Sequence, residues 1–229
     1  MFAWDYTWLF IIPPLILAIY AQAKVRGAYS RFSRVAASSR LTGSELAARL
    51  LADAGVNNVP VEKISGQLSD HYDPRKKILR LSEGVYGSNS LAALGIAAHE
   101  TGHALQHHRG YSPLAIRNVI YPVANIGSFL AFPLFLIGFL TSQKGPSILM
   151  DLGILLYAGA VVFTVITLPV EFNASRQALA LLRDRGYLNQ QEISGAKQVL
   201  TAASLTYVAS TAMAVMQLLR MFILRGSRD

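Results

Sequence analysis

Four long apolar stretches limit the folds open to this chain more than any other feature of its sequence. They are residues 8–23 (extended by 2–7), 121–141, 147–170 and 200–224. A helix that crosses a bilayer needs about 20 predominantly apolar residues. Hydrocarbon offers the backbone no hydrogen-bond partner, so a spanning segment must satisfy its own peptide groups, as an α-helix does. We therefore predict a mainly α integral membrane protein with about four transmembrane helices.

The composition fits this class of protein and argues against others. Hydrophobic residues make up 52% of the 229 residues, and the formal net charge is +8. The basic residues are not interleaved with aromatic ones, as they are on many nucleic-acid-binding surfaces, so we predict no nucleic-acid partner. The chain has no cysteine. This excludes a disulfide framework and cysteine–zinc sites, so any zinc must be held by His, Asp or Glu.

The first apolar stretch has one alternative interpretation. Residues 21–23, Ala-Gln-Ala, have the shape of a signal-peptide cleavage site. A secretory signal also needs a basic segment before its apolar region, whereas only Asp5 is charged there. Trp4, Tyr6 and Trp8 form a cluster that is typical of the interfacial end of a membrane span. A membrane helix is therefore the preferred interpretation.

The distribution of basic residues predicts the orientation in the membrane. Residues 24–40 contain five Lys or Arg and no acidic residue. By the positive-inside rule this segment is cytoplasmic, so the N-terminus, the loop containing Lys144 and the C-terminus lie outside. Arg220, Arg225 and Arg228 near the C-terminus conflict with that rule. A packed or half-inserted fourth helix therefore stays an alternative to a full span.

One predicted helix carries a metal-ligand motif. Residues 91–108, LAALGIAAHETGHALQHH, place His99 and His103 four positions apart and so on one helix face. With Glu100 they form the pattern H-E-x-x-H, in which two imidazoles bind zinc and the glutamate is the general base. The residues before the motif are small and apolar, as in a buried helix, where unpartnered polar groups are costly. We predict one zinc ion per chain.

A catalytic zinc site uses three protein ligands, so one more is required. Glu171 is favoured, because it follows an uncharged run, residues 153–170, on the predicted cytoplasmic side. His107 is less favoured, since it lies about 12 Å from the first histidine along the helix axis, near the limit that two side chains can bridge. His107 and His108 are instead expected to face solvent or to cap the end of the helix. His71 in an upstream turn is a weaker alternative.

We predict five segments along the chain. Residues 1–23 form the first transmembrane helix, and 24–113 form a cytoplasmic, zincin-like α+β domain that carries the H-E-x-x-H helix. The second and third transmembrane helices occupy 114–170. Residues 171–197 form a cytoplasmic helical segment with the third zinc ligand, and 198–229 form the fourth transmembrane or membrane-packed helix and the tail.

The zincin-like domain contains strand-like as well as helical patterns. Residues 42–54 have a cap and an apolar stripe and are followed by Gly55 as a stop signal, which together predict a short helix. Residues 59–64 and 77–82 alternate and predict two strands. Turn-forming residues occupy 70–74, and a loop is expected at 82–90.

Substrate binding is predicted at the second of these strands. We expect its edge to be exposed, so that an extended peptide adds to it as a further strand beside Leu79 and Arg80. The alternative is that this strand is paired on both sides. His71 and Tyr72 are the nearest candidates for a donor to the transition-state oxyanion.

Several longer motifs resemble those of one family. The segments DHYDP, LRLSEGVY, AAHETGHA and PVEFNASR resemble the YugP-type membrane zinc metallopeptidases, and the resemblance covers most of the chain. It implies a bacterial membrane protein with a gluzincin-like site. In that site His99 and His103 are zinc ligands, Glu100 is the base and Glu171 is the third ligand.

The chain departs from more distant relatives at one position. The HtpX-type and CAAX prenyl proteases have Ala-Asp three and four residues after the ligand glutamate. Ala174 matches this pattern, but Ser175 replaces the aspartate. The partner that orients one of the zinc histidines therefore stays open: Ser175 or Asn173 could supply it weakly, or a carboxylate elsewhere in the chain.

The predicted function is that of a zinc-dependent endopeptidase acting on membrane or membrane-proximal proteins, with zinc-activated water and Glu100 as general base. We expect it in the bacterial plasma membrane as a multi-pass protein with its active site on the cytoplasmic side. The alternative is a non-catalytic, metal-stabilised scaffold or chaperone-like partner, which needs no base. The expected partners are the lipid bilayer and a peptide or membrane-protein substrate, while membrane partner proteins and a homo-oligomer stay open.

Overall fold

The computed structural model describes residues 6–142 and 145–227. A short 3-10 helix, Tyr6–Phe10, precedes the first α-helix. The elements that follow are α1 (Ile12–Phe32), α2 (Gly43–Asp53), β1 (Val61–Ile64), β2 (His71–Asp73), β3 (Ile78–Ser82), α3 (Glu83–Tyr86), α4 (Leu91–His108), α5 (Ser112–Thr141), α6 (Ile148–Asp184) and α7 (Gln190–Gly226). Trp4 of the predicted aromatic cluster, Lys144 of the predicted outer loop and Arg228 lie outside the described residues.

Within the described residues, four helical segments are long and apolar enough to cross a membrane: Tyr6–Phe32, α5, α6 and α7. Together with one small three-stranded sheet they confirm a mainly α membrane protein with a small α+β domain. The predicted segment boundaries fall inside continuous helices. The first helix extends to Phe32, well past residue 23, and α5 begins at Ser112, two residues before the predicted boundary. The assignment of segments to membrane and cytoplasm stays a prediction.

The chain divides into two compact units, and the first consists of the described residues within 1–21, 115–169 and 206–229. Large apolar side chains project from its surface, among them Phe129 (78% exposed) and Val119 (76% exposed). Apolar surface on this scale is typical of a face that contacts lipid or another protein.

Two of the three arginines that conflicted with the positive-inside rule have partners within this unit. Arg220 donates from Nε to the hydroxyl of Thr7 at 3.0 Å, and its guanidinium lies 4.0 Å from the ring centre of Trp8. Arg225 forms an ion pair with Asp151. Thus part of the positive charge at the end of α7 is tied to specific partners. The helix continues to Gly226, which makes it long enough for a fourth span.

The second unit, Gln22–Leu114 with Val170–Leu205, contains the sheet. Its strand order is β1-β3-β2, with β1 parallel and β2 antiparallel to β3. Both predicted strands are present. The prediction of a turn at 70–74 was wrong, because this segment contains β2. The turn comes later, where the Asp73 carboxylate accepts from the amides of Arg75 and Lys76 at 2.9 and 3.1 Å.

The predicted exposed edge of β3 is also wrong, since β3 is the central strand and both of its sides are paired. Leu79 is fully buried. Arg80 lies 3.4 Å from both Glu62 and Asp73 and forms ion pairs with them. The substrate contacts expected of Leu79 and Arg80 at a free edge therefore do not apply. Alternation in sequence indicates which face of a strand is buried, but it carries no information about which strands flank it.

Helix α4 lies in the core of this unit. Its start is capped by Ser90, whose hydroxyl accepts from the amide of Ala93 at 3.2 Å. On one side it packs in an apolar cluster with α2, α6 and α7. On the other it packs in a second cluster against β3 and α3. Because apolar clusters pack against α4 on two sides, the backbone that carries its polar side chains is held in a fixed position. A one-turn helix, α3, occupies the segment expected to be a loop.

Candidate metal centre

Two histidines of α4 face the same way, as their spacing requires. The ring centres of His99 and His103 are 4.8 Å apart, with the rings close to perpendicular. His103 is only 9% exposed. Both Nε2 atoms point to one carboxylate, that of Glu171 on α6. The i, i+4 spacing on a helix therefore aims two nitrogens at a common point.

Glu171 lies 72 residues after His99 in the chain, yet its Oε2 is 3.3 Å from His99 Nε2 and 3.4 Å from His103 Nε2. It is 2% exposed. Close packing of α4 on α6 brings these groups together. A Cβ on Gly102 would lie 2.8 Å from the carbonyl oxygen of Ala174, which is closer than side-chain carbons approach in folded proteins. The glycine between the motif residues thus permits the contact that places Glu171.

The donor set fits a zinc ion. Among the described residues, His99, His103 and Glu171 form a group whose ligand atoms all lie within 4.8 Å of one another. Two imidazole nitrogens and one carboxylate oxygen are a composition that catalytic zinc sites use. The electrostatics agree. Burial disfavours the charged form of His103, but the nearby carboxylates of Glu171 and Glu100 outweigh it and raise the pKa of His103. A cluster that stabilises positive charge in this way is suited to a cation.

The second nitrogen of His103 is held by a residue that the sequence analysis missed. His103 Nδ1 lies 3.0 Å from Oε1 of Gln106. The amide nitrogen of Gln106 donates to the carbonyl of Val170 and to Asn173 Oδ1, each at 2.8 Å. With its NH₂ group so engaged, Gln106 can only accept from His103. Nδ1 then carries the proton and Nε2 is left free for a metal.

Gln106 is fully buried. Its position three residues after the second motif histidine, and so about one helical turn further on, was the signal available in the sequence. The other histidine is oriented through α6, since His99 Nδ1 lies 3.1 Å from Ser175 Oγ. The serine that replaces the expected aspartate therefore reaches the ring, but it brings no charge to it. Partners of this kind orient metal ligands and adjust their basicity.

Glu100 lies beside the cluster without belonging to it. Its side chain is largely buried, with 9% exposed. One of its oxygens, Oε2, accepts a hydrogen bond from the backbone amide of Tyr72 at 3.1 Å. Strand β2, which the sequence analysis read as a turn, thus holds the carboxylate from the side opposite to α4. The second oxygen of Glu100 has no partner among the contacts recorded for the described residues.

The remaining predicted site residues lie outside the donor cluster. His71 contacts the carbonyl of Ser69 through Nδ1 at 2.8 Å. The Tyr72 hydroxyl lies 2.8 Å from Nδ1 of His107, so this histidine is engaged outside the donor cluster. Burial and the neighbouring Asp73 charge raise the pKa of Tyr72, so its phenol stays protonated and able to donate. Leu79 is buried in the interior of the second unit, and Arg80 forms ion pairs within the sheet.

Comparison with known proteins adds independent information. The model of a family described as "Putative neutral zinc metallopeptidase" matches residues 7–226. A protein of Bacillus subtilis (strain 168), "Putative membrane protease YugP", is 45% identical over 219 residues, which covers 95% of this chain and 96% of that protein. No solved structure matches this chain.

Proposed function

We propose that this chain, which belongs to the neutral zinc metallopeptidase family, is a membrane-embedded, zinc-dependent endopeptidase that hydrolyses peptide bonds of membrane or membrane-proximal proteins. The observation that carries the proposal is the placement of Glu100. A buried carboxylate, held by a backbone amide, lies next to a group of three donors that fit zinc. A site that only stabilised the fold would not need it.

His99, His103 and Glu171 are the residues that would hold the ion. When bound, zinc supplies Lewis-acid chemistry, which polarises a carbonyl and makes water a stronger nucleophile. The protein holds these donors ready through Gln106 and Ser175, which engage the outward-facing nitrogens of the two imidazoles.

Glu100 would move the proton. As general base its carboxylate accepts a proton from the attacking water, and as general acid it then passes that proton to the leaving amine nitrogen. The amide of Tyr72 engages one oxygen and so keeps the carboxylate oriented, which leaves the other oxygen for water. A positioned general base typically contributes about 10²–10⁴-fold in rate.

The charge pattern supports an active site on the cytoplasmic side of the bacterial plasma membrane. Five basic residues at 24–40 follow the first span. The counterargument from the end of α7 is weakened, because Arg220 and Arg225 interact with Thr7, Trp8 and Asp151. In this orientation the enzyme acts on peptide segments at the inner face of the bilayer.

The test compares Glu100→Gln with Glu171→Gln in purified protein. We expect Glu100→Gln to keep about one zinc per chain and to lose proteolysis of a library of membrane-protein fragments, because only the base is removed. Glu171→Gln should lose most of both, because a ligand is weakened. Glu83→Gln, the same change at an exposed residue outside the cluster, is the control. Full proteolysis by Glu100→Gln would contradict the role of Glu100 as base, whereas a wild type that binds zinc without zinc-dependent proteolysis would favour a metal-stabilised scaffold.

A further inference from the structure

A groove runs between α6 and α7 within the second unit, and it borders the metal centre only through Ser175, while none of His99, His103 and Glu171 lines it. Its volume is about 660 Å³, within the range of ligand-binding sites. Phe172, Leu179 and Leu200 give it apolar walls, and Arg176, Arg183 and Lys197 give it positive charge. No Asp or Glu occurs among the described residues that line it.

The positive charge of the groove is available for a ligand. Arg183 is paired with Asp184, whose carboxylate lies 2.8 Å from its Nε. Arg176 and Lys197 are exposed, and within residues 6–142 and 145–227 no ion pair or hydrogen bond is recorded for either side chain. Two unneutralised cations beside apolar walls favour an anionic amphiphile, because each part of such a ligand finds a matching surface.

The cationic and apolar side chains of the groove follow one another along the helices in the same order as the headgroup and the acyl chains of a phospholipid. Helix α6 is continuous, and its uncharged stretch ends at Val170, two residues before the groove begins at Phe172. Arg176 lies about 9 Å beyond Val170, and Lys197 about 5 Å before Leu200, along their helix axes. The headgroup layer on each side of a bilayer is about 5–8 Å thick. Both cations therefore fall at about the depth of lipid phosphates, with Phe172 and Leu200 on the hydrocarbon side.

We propose that this groove binds one anionic phospholipid, with Arg176 and Lys197 engaging its phosphate and headgroup while an acyl chain lies along Phe172 and Leu200. An acidic peptide segment is disfavoured, because Phe172 and Leu200 lie between the charged positions and the hydrocarbon end of the helices. Basic pockets between membrane helices on the cytoplasmic side bind anionic headgroups in this way. The site is separate from the zinc ligands and does not depend on catalysis.

Lipid retention by the full-length protein tests the site. Protein in neutral detergent is mixed with phosphatidylglycerol or phosphatidylcholine of identical acyl chains, and bound lipid is counted by native mass spectrometry. We expect the wild type to retain phosphatidylglycerol preferentially. Arg176→Gln/Lys197→Gln should reduce that preference by roughly fivefold for each cation removed. Zinc content checks that the variant is folded.

The matched control is Arg75→Gln/Lys76→Gln, which removes the same two charges at exposed positions of the β2–β3 turn. It should retain the wild-type preference. Equal retention of both lipids by the wild type would overturn the proposal. So would an equal loss of preference in the control, which would indicate diffuse charge attraction. Binding of a soluble acidic peptide that needs Arg176 and Lys197, without any preference for phosphatidylglycerol, would reassign the groove to peptides and equally overturn it.

Discussion

The backbone amide of Tyr72 donates to Oε2 of Glu100 across 3.1 Å and so joins strand β2 to helix α4. This bond fixes the side chain that we propose as general base, while the proposed zinc ligands belong to α4 and α6. The small sheet therefore contributes to the candidate metal centre through its strand β2. It orients a carboxylate, and its central strand is not open to a further strand.

Removing the backbone amide donor of Tyr72 tests whether this hydrogen bond orients Glu100 for catalysis. Tyr72→Pro deletes the donor to Glu100, and Tyr72→Phe deletes only the hydroxyl contact with His107. Hydrogen bonds to charged groups contribute about 1.5–3 kcal/mol, so we expect kcat to fall by about tenfold or more in the proline variant. Zinc content should stay normal. The phenylalanine variant should retain most activity, and a similar loss in both variants would show that the phenol is the important group.

The packing of α4 on α6 can be tested with two glycines of the same helix. A Cβ at Gly102 would meet the Ala174 carbonyl oxygen at 2.8 Å, whereas one at Gly95 would meet Ala196 at an ordinary 3.5 Å. Gly102→Ala should therefore separate the helices, at a cost of about 1–3 kcal/mol, and lower both thermal stability and zinc affinity. Gly95→Ala should leave both unchanged or raise stability by about 1 kcal/mol through helix propensity. Equal behaviour of the two variants would contradict the close-packing argument.

The role of Gln106 can be separated from its bulk. Gln106→Leu keeps a similar volume but leaves His103 Nδ1, the Val170 carbonyl and Asn173 without their partner. Loss of such a partner typically lowers metal affinity by about 10–100-fold, measurable by competition with a chromophoric chelator. Gln106→Glu retains the acceptor for His103 and should recover part of the affinity. The control is Gln198→Leu, at an exposed position of α7. Unchanged zinc affinity in Gln106→Leu would exclude a positioning role.

The orientation in the membrane can be measured with engineered cysteines, because the native chain has none. Ala48 on α2 and Thr141 at the end of α5 are both exposed. In intact cells we expect Ala48→Cys to resist an impermeant thiol reagent and to react after permeabilisation. Thr141→Cys should react in intact cells. The opposite labelling pattern would place the zinc-binding unit outside the cytoplasm.

The sequence by itself determined the features that depend on local pattern. Apolar stretches of bilayer length predicted the four long helices, because a helix in lipid must satisfy its backbone within itself. The spacing of His99 and His103 predicted that they share a face, because the helical repeat alone sets it. Glu171 could be proposed from its place after an uncharged run and from the family resemblance.

Only the tertiary structure decided which distant groups meet. The sheet places β3 between its neighbours, although alternation alone allowed a free edge. Gln106 reaches Val170 and Asn173 across more than sixty positions of the chain, and Tyr72 reaches Glu100 from a strand that looked like a turn. These partners are chosen by the packing of α4 against α6 and against the sheet. A hydrogen bond depends on distance and angle in space, and no local periodicity specifies either.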